Sequence, residues 1–208
     1  RSGTPGQHSE DVGFWLMHDP HYYATGENTS VAHNGNPKPC GQGSCNPHDW
    51  SSNDWAPDIQ LFNTIWSTEG FYRGGYCVGF DGKTSHGTIA GSAGFDSLRE
   101  GLTIGVVLHP ASEASDQEQV ILAKPGVFTL SLSRAGRLTF RVETSGGVAV
   151  AAMAEPLASP APARGFAVKA TFNSTSGACK IFVDSVLVAS GRSRSGATIA
   201  RVAPGGSM

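Results

Sequence analysis

The stretch from 127 to 143 limits what this chain can fold into more than any other. VFTLSLS (127–133), from Phe128 onward, and RLTFRVE (137–143) alternate apolar and polar residues, and only Arg134, Ala135 and Gly136 separate them. A period of two places successive side chains on opposite faces of a strand, so each run has one apolar and one polar face. Two such runs joined by a short glycine-containing connection form a β-hairpin, whose apolar face must be buried against a second layer. FAVKATF (166–172) and CKIFVD (179–184) repeat the arrangement across the turn-rich residues 173–177, and VLVA (186–189) follows at once. Further strand-like runs cover 76–81, 86–90 and 102–109, the last apolar on both faces as a central strand is. No run of convincing length has the helical period. The expectation is an all-β fold with antiparallel sheets.

Sequence character changes near Gly74 and Gly75. All four Trp, three of the four Tyr and five of the seven His lie before that point, among many Asn, Pro and Gly. After it, short runs and turns alternate at the spacing of sandwiches and barrels. The reading is one domain over 1–208, with a first strand and long irregular aromatic-rich loops in 1–75 and a β meander in 76–208. Residues 149–163 are rich in Ala and Pro, with Pro156, Pro160 and Pro162 each able to break a ladder, and read as a surface loop.

Charge narrows the class of partner. Fifteen Lys and Arg stand against 17 Asp and Glu, a formal net charge of -2, and no cationic run occurs. Neither nucleic acid nor an anionic membrane surface is an expected partner. The longest apolar stretch, 101–108, is far below the roughly 18 to 20 residues of a membrane-spanning helix, so membrane insertion is not expected. The sequence starts at Arg1 without an apolar leader, and the expectation is that it belongs to a longer polypeptide.

Four cysteines, Cys40, Cys45, Cys77 and Cys179, permit three pairings. The two glycines inside CGQGSC favour a tight Cys40–Cys45 ring, which leaves Cys77 and Cys179 for each other. Asn28 and Asn173 begin Asn-x-Ser/Thr sequons, as N-glycosylation requires. With the even cysteine count they point to an oxidising, extracellular setting, secreted or at the cell surface.

In their order, several segments resemble one known family. GFWLMHD (13–19), the Asn-Gly-Asn step at 34–36, GGYCVGFDGKTSHGTI (74–89) with its FDG at 80–82, GLTIGVVLHP (101–110) and FAVKATFNSTSGACKIFVDSVLVAS (166–190) are similar to LamG-like jelly rolls of the concanavalin A-like lectin/glucanase superfamily. The resemblance implies an antiparallel jelly-roll β-sandwich, concanavalin A-like or laminin-G-like, over residues 11–190. One departure is Asp184-Ser185 where the family usually turns on Asp-Gly. Members include sugar binders, adhesion modules and hydrolases, so function has to come from a site.

Retaining glycosidases need two carboxylates facing one sugar about 5 to 5.5 Å apart, and no strand here carries such a pair. Glu113, Asp116 and Glu118 lie in a polar run that reads as solvated loop. Asp49, Asn53, Asp54 and Asp58 supply hard oxygen donors within one short segment, the pattern from which a calcium site can be built, and calcium recurs in the resembled family. Trp50 and Trp55, set in polar turn sequence, together with Tyr22 and Tyr23, offer flat apolar faces with a polar edge for a sugar ring or a partner protein. The expected function is an extracellular glycan-binding or adhesion module. Behind it stand a polysaccharide-degrading hydrolase or lyase and a structural subunit of an extracellular assembly. The resembled family usually adds a strand after the hairpin matched here, for which residues 198–202 are the candidate. Without that strand the open edge would be covered by another chain or fragment of the same assembly.

Overall fold

The computed structural model describes residues 39–40, 59–67, 77–89, 91, 98–110, 117–159, 161 and 165–201. All the elements among them are strands, and every pairing is antiparallel. The chain divides into two compact units, Arg1–Ser97 and Leu98–Met208, so the change of composition at Gly74 and Gly75 falls inside the first.

The first unit contains β1 (Pro39–Cys40), β2 (Gln60–Phe62), β3 (Thr64–Ser67), β4 (Cys77–Gly79) and β5 (His86–Thr88). β3 lies between β1 and β4, and β2 pairs with β5. One chain serves both sheets because it bends at Asn63, whose φ of 52° lies in the left-handed region that Asn tolerates better than most residues. Ile59, Leu61 and Thr64 are buried, and Phe62 stacks on its cross-strand partner His86 at 4.8 Å between ring centroids. Between β4 and β5 the chain turns around Asp81. Its Oδ1 accepts from the amides of Lys83, Thr84 and Ser85, each at 2.8 Å, and from Ser85 Oγ, while Oδ2 accepts from Thr84 Oγ1.

The second unit is a sandwich of two four-stranded sheets. β6 (Gly101–Leu108) starts one of them. The chain then builds the other as consecutive hairpins through β7 (Gln119–Lys124), β8 (Phe128–Leu132), β9 (Leu138–Thr144) and β10 (Gly147–Ala152). It returns through β11 (Phe166–Asn173), β12 (Ala178–Val183) and β13 (Val186–Arg192), with β11 laid alongside β6 over eight residue pairs. One meander is thus inserted between the first and second strands of another. Inward residues of both sheets, among them Leu130, Leu138, Phe140, Val142, Val168, Phe172 and Ile181, join in one buried cluster. The two hairpins read from sequence are present, β8 with β9 and β11 with β12.

Three readings change. β6 is an edge strand of its sheet among the described strands, not a central one. Leu102, Ile104, Val106 and Leu108 face the core, while the intervening Thr103, Gly105 and Val107 are exposed. Residues 149–163 do not begin as a loop, because β10 runs to Ala152. Its inward residues Ala149 and Ala151 are fully buried, and its larger Val148 and Val150 are 40% and 42% exposed. This inversion of size follows from the close approach of β10 to β13, where a Cβ on Gly191 would stand 1.7 Å from Val150 O. Finally, residues 198–201 add no strand. Ile199 makes a single bridge to Thr144, with Ser145 N donating to Thr198 O, Ala200 N to Glu143 O and Ile199 N to Arg99 O. The segment ties β9 to the residues leading into β6 and buries Ala197 and Ile199.

Candidate functional site

Alternation along β11, β12 and β13 decides which side chains leave the sandwich. Phe166, Val168, Ala170 and Phe172 point inward from β11, and Cys179 and Ile181 from β12. The residues between them, Lys169 and Thr171 on β11 and Lys180 on β12, therefore line the outer face. No strand of this sheet carries an Asp or Glu, whereas Lys169, Lys180 and Arg192 give it three cations. Among the described residues none of the three has a carboxylate partner.

Register arranges them. Lys169 is opposite Phe182 and Thr171 opposite Lys180, so Lys180 is the diagonal neighbour of Lys169. Lys180 is opposite Ser190 and Ala178 opposite Arg192, so Arg192 is the next diagonal neighbour in the same direction. Diagonal neighbours on a sheet face are roughly 7 to 8 Å apart, which makes the three cations an evenly stepped line across three strands. The line ends in an open groove of about 450 Å³ lined by Ser176, Ala178, Lys180, Leu187, Ser190 and Arg192.

The turn at 173–177 fixes the end of that groove. Asn173 Oδ1 accepts from Ser176 N at 3.0 Å and from Ser176 Oγ at 3.2 Å, and Gly177 N and Gly196 N both donate to the carbonyl of the buried Ser174. Gly177 has φ 66°, and a Cβ there would meet Ser193 O at 2.5 Å, so only glycine fits the crossing. At the opposite end, Asp184 Oδ1 accepts from Ala167 N at 3.0 Å. Asp184 and Ser185 take φ values of 49° and 70°, the paired left-handed geometry of a type I′ turn, without a glycine.

The other sheet carries charges of both signs. Arg141 Nη2 is 2.7 Å from Glu143 Oε1, and Glu118 Oε1 accepts from Ser131 Oγ at 2.6 Å. Asp81 has both carboxylate oxygens engaged by its own turn, and the amides of Ser85 and Lys83, followed by the two hydroxyls, hold its carboxyl well below the usual carboxylate range.

Trp50, Trp55, Tyr22, Tyr23, Asp49, Asn53, Asp54, Asp58, Cys45 and Asn28 lie outside the described residues, and Cys40 is described only as backbone of β1. Asn173 is exposed at the end of β11, beside the groove. Cys179 is a thiol packed in the core, with Sγ 3.6 Å from Phe140 O, to which it donates. Cys77, with which it was expected to pair, lies on β4 of the first unit. Burial pushes the Cys179 thiol up to about 11, with the Ala151 backbone acting in the opposite direction. Lys169, Lys180 and Arg192 were not singled out by sequence. The available signal was that the outward positions of the late hairpins contain cations and no acid.

Compared with family models, curated proteins and solved structures, the chain matches none.

Proposed function

We propose that this chain is an extracellular glycan-binding or adhesion module on a LamG-like jelly-roll sandwich. The observation that carries the reading is the outer face of the β6–β11–β12–β13 sheet. It has an open groove, hydroxyls at Thr171, Ser176 and Ser190, and cations without carboxylate partners among the described residues. Extended sugar chains suit such a surface because hydroxyl and charged side chains on a rigid sheet exchange hydrogen bonds with little ordering cost. The jelly-roll assignment is supported by strands at 101–108, 166–173 and 178–183, where the resemblance puts core strand and late hairpin. The two sequons support the extracellular setting.

A glycan array probed with the intact chain tests the reading, and it predicts retention of a related set of glycans. Repeating the array with chelator tests calcium at Asp49, Asn53, Asp54 and Asp58, and loss of binding on chelation is the expected result for that site. Trp50→Ala and Trp55→Ala should weaken retention while leaving the unfolding midpoint in place. Retention of no glycan at all rejects the function.

A further inference from the structure

We infer that the ligand of this module is a linear polyanionic glycan laid diagonally over the outer sheet face, with Lys169, Lys180 and Arg192 each taking an acidic group. The inference rests on the glycan-binding reading above and specifies its ligand class. Three observations carry it.

The first is segregation of charge. The whole chain has more acids than bases, yet the four strands of this sheet contain three cations and no acid. A solvated face chosen only for solubility usually mixes both signs, as the opposite sheet does with Arg141 and Glu143.

The second is geometry. The three cations form a regular diagonal, one strand across and two residues along at each step, so their spacing repeats at roughly 7 to 8 Å. A repeating line of charges on a rigid surface fits a polymer with a repeating acid, and a single small anion would engage only part of it. The Arg192 guanidinium adds a planar fork suited to carboxylate or sulfate.

The third is what lies between and beside the cations. Thr171 and Ser190 stand directly across from Lys180 on its two neighbouring strands, and Ser176 borders the groove. Hydroxyls there can exchange hydrogen bonds with sugar hydroxyls. On β6 Gly105 stands across from Lys169, and the next diagonal position beyond Lys169 is the half-exposed Val107, across from Ala167, so the line of cations ends at Lys169 with an apolar side chain beside it.

The experiment uses the full chain with three immobilised probes: polygalacturonate, dextran sulfate and neutral dextran. Wild type should bind at least one of the two acidic polysaccharides, release it as salt rises, and not bind neutral dextran. The double variant Lys180→Gln/Arg192→Gln should bind about tenfold or more weaker, a loss of about 1.4 kcal/mol. Lys169→Gln should give a smaller loss, and Arg141→Gln on the opposite sheet none. Circular dichroism melts matching wild type show that the variants are folded. Polyglutamate serves as the competitor of different class. If it displaces the polysaccharide at equal charge concentration, the face recognises acidity alone, and the inference is overturned. If neutral glycans on the array bind and the double variant binds them as well as wild type, the inference falls while the glycan-binding reading stands. If no glycan of either kind binds, both fall.

Discussion

Replacing Gly191 by alanine puts a methyl carbon 1.7 Å from the carbonyl oxygen of Val150 and 2.7 Å from its carbon. Both neighbours are main-chain atoms of β10, so no rotamer change can move them aside. Restoring even a 3.0 Å contact requires β13 and β10 to separate by about 1 Å or more, which also loosens the packing of Ala149, Ala151, Cys179 and Ala189 beneath them. Overpacking of this kind costs about 1 to 3 kcal/mol, and the absence of an escape route places Gly191→Ala at the upper end. Reduced freedom of the unfolded chain returns about 0.4 to 1 kcal/mol, leaving a net loss of about 2 to 2.6 kcal/mol. Gly105→Ala is the matched control, since nothing lies within 4 Å of its added Cβ, and it should be neutral or stabilising by up to about 1 kcal/mol. All four Trp precede Gly74, outside the second unit, so urea unfolding is followed by far-UV circular dichroism and by amide exchange in β10 and β13. A loss below about 1 kcal/mol for Gly191→Ala, or an equal loss in both variants, refutes the close approach of the two edge strands.

Ser185→Gly should stabilise the chain by about 1 kcal/mol in the same urea assay, because a left-handed residue with a Cβ is strained and glycine is not; destabilisation would show that Ser185 does not hold its φ of 70°. The folded pKa of Cys179 is raised, so its proton is kept on folding while the unfolded chain loses it. Stability is then independent of this thiol below pH 9 and falls as pH rises from 9 through about 11, a slope that Cys179→Ala should remove. The buried thiol should also react with a disulfide reagent only on denaturation, and fast reaction in the native chain would contradict its place in the core. For Asp81 the folded pKa is depressed, so its contribution is present above the ordinary carboxylate range and is lost only in strong acid. Asp81→Ala should speed proteolysis between Phe80 and His86, and an unchanged cleavage rate would remove its role in the turn.

Strand class and much of the second unit were legible from sequence, because a strand that buries one face tends to alternate, as 128–133 and 137–143 do, and because short apolar runs bounded by turn residues mark the strands of 166–189. Where inward residues are large, as at Leu138, Phe140 and Val142, hydrophobicity marks the buried face directly. β10 escaped that reading because the separation between edge strands admits only alanine inside, leaving the larger valines outside, and no single strand carries information about its distance from another sheet. β6 was misplaced for a related reason: an apolar run shows that residues can be buried, whereas the strand order shows which of its edges is paired. The cations at 169, 180 and 192 are far apart in the chain, and nothing local relates them. Their line exists only through the pairing of β11 with β12 and of β12 with β13. A shift of one residue in either register would turn a strand over and send its lysine or arginine toward the core, at a cost that burial of an unpaired charge makes prohibitive. Sequence alone thus determined that these strands have two faces, and tertiary register decided that three cations far apart in the chain share one of those faces in a diagonal line.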